Sequence, residues 1–425
     1  LWKSWSLISS HASIFSAVAS FTRGLFNPAN YTLPNLVVFV MVLMCIQYIP
    51  IETRAGVSPI KTIVMAVMPL VLLAHFRINR ALILGIVYMG WLFFTAGILH
   101  PATFRASTIL YTCMFVITFI VTYTAVWNYH IFTLDNFIKF MRLFFFVLIG
   151  FLLAQQACLI VGIKLLPLIN LCQILNRGIG ANSLTFEPST LGRLLAVMYY
   201  ALLKCLEIRN GEKVTIKDIF KGELKWVSIF YIWAVLTMGS GTAFVAAGIT
   251  SLYFMRGWYF LFAVPIFIGI YFSLEYFGNE SFSRAQAASI ATISGDADVV
   301  RETDGSASMR IAPLLTTLKA DFSDPDIIIG KGCDSVSKRN IAIGNVYMGH
   351  IDDYGLISYV LELIIVFTCC INFRSLGSIY FFTGTGGGIG NISYGWGLLF
   401  IFCCVKYFYD NRFNDFIYED NELIE

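Results

Sequence analysis

The chain reads as an all-α, polytopic integral membrane protein of about twelve transmembrane helices, with one long extracytoplasmic loop that contains short helices. Three observations predict this. Of its 425 residues, 58% are hydrophobic and only 13% charged, which excludes a string of water-soluble domains. Runs such as 81–99, 109–127 and 143–163 are long and apolar enough to cross about 30 Å of hydrocarbon as helices. Between such runs lies a single long polar stretch, 278–350, and connections of that length are functional or disordered. Residues 1–425 thus form one integral domain, with 278–350 inserted between the ninth and tenth spans.

Residues 1–32 lack the layout of a cleaved signal peptide and are expected to lie partly as an amphipathic segment on the membrane. Leu1, not Met, stands first, as in a chain whose start is absent or processed. The expected spans are 34–51, which serves as an uncleaved insertion signal, then 60–76, 81–99 and 109–127. A charged connector with Asp135, Lys139 and Arg142 leads to the fifth, 143–163. Segment 164–187 starts apolar and is expected to be re-entrant or interfacial, ahead of the sixth span, 188–206. The seventh and eighth, 226–238 and 242–254, are short and bend at Gly239-Ser240-Gly241. The ninth is 258–277 and the tenth 351–373. The last pair, 378–389 and 392–408, is broken by the glycines of 384–388, which permit a tight turn. No repeat period marks duplicated halves.

Orientation follows from the excess of Lys and Arg in cytoplasmic connectors. With both termini cytoplasmic, the inside segments carry sixteen such residues, from Lys3 and Arg23 to Lys406 and Arg412. The short outside segments carry six: Arg54, Lys61, Arg105, Lys164, Arg177 and Arg193. The long loop therefore faces outward. Eight of the ten cysteines fall in or beside apolar runs, where they act as small hydrophobes. Only Cys172 and Cys333 lie in outward segments, where a single disulfide would be possible, and a structural role is expected for the cysteines. No Cys or His spacing matches a metal site, so neither metal nor cofactor is expected. The net charge of +3 says little about partners, and no nucleic acid is expected.

Three outward features gather on one face. Thr185-Phe186-Glu187-Pro188-Ser189 stands at the mouth of the sixth span, where Glu187 either favours the positive helix start or acts as a base. Arg177 and Arg193 are close by in sequence. Arg193 enters an apolar run, where a charge costs a few kcal/mol without a partner, so an anionic ligand or Glu187 is expected beside it. At Gly239-Ser240-Gly241-Thr242, small residues allow close helix packing, or backbone N–H groups near Ser240 receive a phosphate oxygen.

The third feature is the loop itself. Leu314, Leu315, Leu318 and Phe322 recur at helical spacing, with Pro313 in the first turn and Arg310 at the start. Asp324-Pro325 is expected to break the chain, and 327–332 to form an apolar segment closed by glycines. The acidic stretch 295–305 reads as mobile. His350 stands before Asp352 and Asp353 at the entrance to the tenth span, either as an interfacial surface residue or as a tuned proton acceptor.

From Thr185 to the C-terminus these motifs run in the order Glu-Pro-Ser, Ser-Gly-Thr, Arg310 with its helix, Gly330-x-Gly332, and Asp353-Tyr354-Gly355-Leu356-Ile357. That order resembles the O-antigen ligase/polymerase superfamily, above all the Wzy-type O-antigen and capsule repeat-unit polymerases. Arg284-x10-Gly295 also fits a pattern described for some of them. The resemblance implies a metal-independent glycosyltransferase acting on undecaprenyl-diphosphate-linked oligosaccharides at the periplasmic face of the inner membrane, with a chain-length regulator as a possible membrane partner. Arg310, with Arg284 or Arg193, would hold the diphosphate, since the arginine fork suits phosphate oxygens. Glu187 or His350 would be the base. A mobile loop would exclude water.

Two other readings stand beside this one. An O-antigen ligase would deliver the same glycan to lipid A-core, but its usual arginine near the small-residue turn is missing from 239–242. A flippase or other transporter would place charges mid-span, where this sequence is expected to have almost none.

Overall fold

In the computed structural model the described residues are 32–47, 58–163, 179–255, 287, 290–291, 294–303, 312–333, 335, 347–385, 388–390 and 392–414. Every regular element among them is helical. Four stretches are long and apolar enough to cross a membrane: Arg80–Leu99, Ala106–Asn128, Leu134–Ile160 and Ile351–Cys370.

In chain order the helices are α1 (Leu33–Cys45), α2 (Pro59–Ala74), α3 (Arg80–Phe93), α4 (Ala106–Asn128), α5 (Leu134–Ile160), α6 (Pro188–Asn210), α7 (Lys225–Thr237) and α8 (Gly241–Ser251). Then come three short ones, α9 (Ala297–Thr303), α10 (Ala312–Leu318) and α11 (Pro325–Ile329), and finally α12 (Ile351–Ile365), α13 (Leu376–Thr385) and α14 (Ser393–Asp410). α3 and α12 each end in a wider turn, Phe94–Leu99 and Val366–Cys370. A helix lies at each expected span except 258–277, which falls outside the described residues, as do 1–31, 164–178 and Cys172.

α14 and α4 are buried over most of their length and occupy the middle. Trp396 stacks on Phe115 at 6.3 Å and meets Phe119 at 5.6 Å, while Phe119 stacks on Phe400. α2 and α3 lie outside and expose Ile63, Leu70, Leu73, Ile83 and Ile86, the face a lipid-facing helix would present. Close crossings use small residues, since lipid offers no hydrophobic drive between helices and packing must come from contact. A β-carbon on Gly192 of α6 would meet that of Ala243 of α8 at 2.6 Å, and one on Gly397 would meet Cys45 Sγ at 2.7 Å. The close crossing of α6 and α8 lies just inside the small-residue turn. Ser240 is buried there, and its carbonyl, not its side chain, receives Ala243 and Phe244 N–H.

The helices alternate in direction, so their ends form two rims. At the first, Gln47 N–H donates to Leu184 O (2.8 Å), Trp91 Nε1 to Tyr354 O (2.9 Å), and Gln156 Nε2 to Thr237 Oγ1 (2.7 Å). At the second, Asn79 Nδ2 donates to Asn128 Oδ1 (3.0 Å), His130 pairs with the Tyr407 hydroxyl (2.9 Å), and Arg209 meets Asp135 (3.2 Å).

Several expectations need correction. α5 begins at Leu134, capped by Thr133, so Asp135, Lys139 and Arg142 ride on the helix rather than in a connector. The stretch expected to be mobile contains α9, whose Ala297 and Val300 bury against Ala291 and Ala312. Asp324-Pro325 starts a helix: Asp324 caps α11 by accepting Asp326 N–H at 2.9 Å, with Pro325 in the first turn. α10 ends at Leu318, which is 69% exposed, and Phe322 is exposed too. The buried face of α10 is instead Ala312, Pro313 and Thr317, and the Thr317 hydroxyl accepts Met348 N–H at 2.8 Å.

Candidate functional site

The first rim is built around the connection between α13 and α14, residues 384–390. Arg193, in the second turn of α6, donates Nε to Ser189 O at 3.2 Å and Nη1 to Gly384 O, and its guanidinium lies 5.1 Å over the Tyr394 ring. Glu187 is not its partner: that carboxylate accepts the Ser189 hydroxyl, and among the described residues Arg193 forms no ion pair. Glu187 stands just before α6 with extended backbone and does not cap the helix through its side chain. The approach to it is tightly held. Ser183, at φ +52°, donates N–H to Gln155 Oε1 (2.6 Å) and its hydroxyl to Leu148 O (2.6 Å), while Gln155 Nε2 donates to Ser183 O (2.8 Å). Such a backbone costs about 1–3 kcal/mol and persists only where its surroundings hold it.

At the other end of the connection, Gly388 rests on Gly349 and Gly390 on the His350 ring, contacts that leave no room for a β-carbon. His350 Nδ1 lies 3.8 Å from Asp353 Oδ2. Asp353 in turn accepts Ser335 N–H and its hydroxyl, both at 2.8 Å, and Asp352 accepts Tyr347 N–H at 2.8 Å. The imidazole therefore lies beside a carboxylate that is itself fixed, a neighbour that favours the protonated ring of a proton acceptor.

The glycines of the Gly-x-Gly and Asp-Tyr-Gly motifs dock on each other. Lys331 N–H donates to Asp352 O (2.9 Å) and Gly332 N–H to Asp353 O (3.0 Å). Gly330 and Gly355 have φ of +80° and +81°, and a β-carbon on either would strike backbone of the opposite strand of chain. Gly355 also interrupts α12, so His350–Tyr354 forms a separate turn above the helix proper. Gly332 lies against His100 and Thr103, and Tyr354 OH donates to the buried Cys333 Sγ at 3.4 Å. This loop segment is thereby seated on the first rim.

Two charged side chains enter the site from positions read otherwise in the sequence. Glu362, the one charged residue of α12 below the kink, is 0% exposed; the Tyr88 hydroxyl donates to Oε1 at 2.6 Å and Ile389 N–H to Oε2 at 3.3 Å. The expectation that span interiors are almost free of charge fails here. Lys61 is not an exposed rim charge but 2% exposed, and its Nζ donates to Ser393 Oγ at 3.1 Å. Both were visible as lone charges inside apolar runs.

The 384–390 connection therefore touches Arg193, His350 and Glu362. Arg177, Arg284 and Arg310 lie outside the described residues. No family model, no curated protein and no solved structure matches this chain.

Proposed function

We propose that the chain is a Wzy-type polysaccharide polymerase of the O-antigen ligase/polymerase superfamily, multi-pass in the bacterial inner membrane with both termini cytoplasmic. It would move the growing glycan from undecaprenyl diphosphate to the next lipid-linked repeat unit at the periplasmic face, without a metal. The observation that carries this reading is Arg193. It is a half-buried cation in an apolar helix whose contacts are two carbonyls and a tyrosine face, all neutral. Neutral dipoles hold the guanidinium in place and leave its charge for an incoming anion, which a leaving diphosphate supplies. His350, beside Asp353, would take the acceptor hydroxyl proton, with Glu187 as the other candidate base. Arg310 and Arg284 would share the diphosphate.

The test is a strain lacking the native gene, complemented with Arg193→Ala, His350→Ala, Glu187→Ala or Arg310→Ala, with the surface polysaccharide read by gel. Loss of the ladder to a single repeat unit on core is expected. Full-length chains from normally inserted Arg193→Ala and His350→Ala proteins would sink the assignment. Bare core with accumulated lipid-linked polymer would point to a ligase.

Glu362 favours a second reading, transport of the lipid-linked unit, because buried ionisable groups inside membrane helices serve ion-coupled pathways. Under it, Glu362→Gln leaves lipid-linked units on the cytoplasmic face. Under the polymerase reading they reach the periplasm and the ladder shortens.

A further inference from the structure

At the second rim, far from Arg193 and His350 along the helices, a cavity of about 360 Å³ opens among the ends of α6, α8, α12 and α14 and the start of α13. That is the size of a small-molecule site. Lys204, Lys213, Arg374 and Lys406 line it, against one lining carboxylate, Glu207. Glu207 is already engaged by Lys204 Nζ (2.8 Å) and the Tyr253 hydroxyl (2.7 Å). Lys406 is held by Asn372 Oδ1 (2.5 Å) and Asp410 (3.1 Å), and Lys213 stands 4.7 Å over the Tyr253 ring.

Helix C-termini attract cations, and Arg209 in the last turn of α6 follows that rule. Arg374 does not. It sits just ahead of α13, at the positive end of a helix, is exposed, and forms no ion pair among the described residues. A cation beside a positive helix end, in a cavity already rich in lysine, is complemented by an anion. The remaining lining mixes Asn372, Ser375 and three tyrosines with an apolar group that includes Leu252, Leu376, Phe402 and Val405.

We propose that this cavity binds an anionic amphiphile, its phosphate among Arg374, Lys213 and Lys406 and its apolar body against Leu252, Leu376, Phe402 and Val405. The inference is independent of the polymerase reading, since none of these residues touches the first rim. A membrane phospholipid and a soluble phosphate ester share the headgroup chemistry, and the apolar lining selects the lipid.

The experiment is native mass spectrometry of the full chain with phosphatidylglycerol, phosphatidylcholine or glycerol phosphate as probe, for wild type, Arg374→Ala, Lys213→Ala and Arg142→Ala. Arg374 and Lys213 stand outside the helices, and thermal unfolding of each variant checks the fold. Phosphatidylglycerol is expected to be retained over phosphatidylcholine, with about fivefold weaker retention for each cavity variant and none for Arg142→Ala. Equal retention of the two lipids, or phosphatidylglycerol retention unchanged in both cavity variants, overturns the proposal. So does glycerol phosphate binding as tightly as phosphatidylglycerol, which would place a soluble ester there.

Discussion

The two rims hold similar residues in opposite ways. At the second, charges answer charges: Arg209 bridges Asp135 (3.2 Å) and Glu223 (3.1 Å), Arg142 also reaches Glu223 (3.2 Å), and Lys406 pairs with Asp410. These groups are partly exposed, so each pair contributes little, about 0–1 kcal/mol. At the first rim Arg193 is held by carbonyls and a ring, and Glu362 by a tyrosine and a backbone N–H. The ion pairs of the second rim brace helix ends against each other, while Arg193 and Glu362 keep their charges on neutral dipoles; Arg374 at the second rim and His350 beside Asp353 at the first depart from that division.

Four substitutions test that contrast, in decreasing order of effect. Gly355→Val should be the most damaging, by about 3 kcal/mol or more, since it adds a left-handed strain to a backbone collision with Ile328 and Ile329. It should raise protease access to the 325–335 segment in the same protein. Glu362→Leu should lower the thermal transition by the equivalent of about 2 kcal/mol, because Tyr88 OH and Ile389 N–H lose their acceptor. Tyr88→Phe should recover part of that loss in the double variant. Arg209→Met, though it removes two ion pairs, should cost less than about 1 kcal/mol and nothing at high salt. A larger cost for Arg209→Met than for Glu362→Leu would erase the distinction between rims.

The smallest effect is a pH slope at His130. Burial holds its imidazole below the ordinary value of 6.5, so the unfolded chain binds a proton that the folded chain resists. Stability should therefore be flat above about pH 6.5 and fall as the pH drops from there toward the folded value. His130→Gln should flatten that slope in acid-unfolding curves measured in detergent.

The helices were largely legible from sequence because an apolar run of span length has few other uses. Their ends were less so. α5 starts a few turns before its apolar run, since Asp135 and Arg142 find partners on neighbouring elements and need not leave the helix. α10 buries Thr317 against the Met348 backbone and Ala312 against α9, which leaves Leu318 on its exposed side. In the site, Glu187, Arg193 and His350 stood out as polar residues at span mouths, and all three lie at the first rim. Glu362 and Lys61 were misjudged, as charge counting by segment ignores how deep a side chain lies and which helix faces it. The paired glycines at 330 and 355 were recognised as a motif, while their task, allowing two backbones to touch, depends on a contact between residues far apart in sequence.

The 384–390 connection has one last implication, for what lengths of chain can stand there. Surface loops ordinarily accept an extra residue at little cost. This one is pinned by Arg193 at its start and is pressed against Gly349 and His350 at its end, without space for a methyl group. Adding or deleting a residue would carry the guanidinium and the imidazole out of step, so among the turns of this molecule it is the place where length, more than composition, should be invariant.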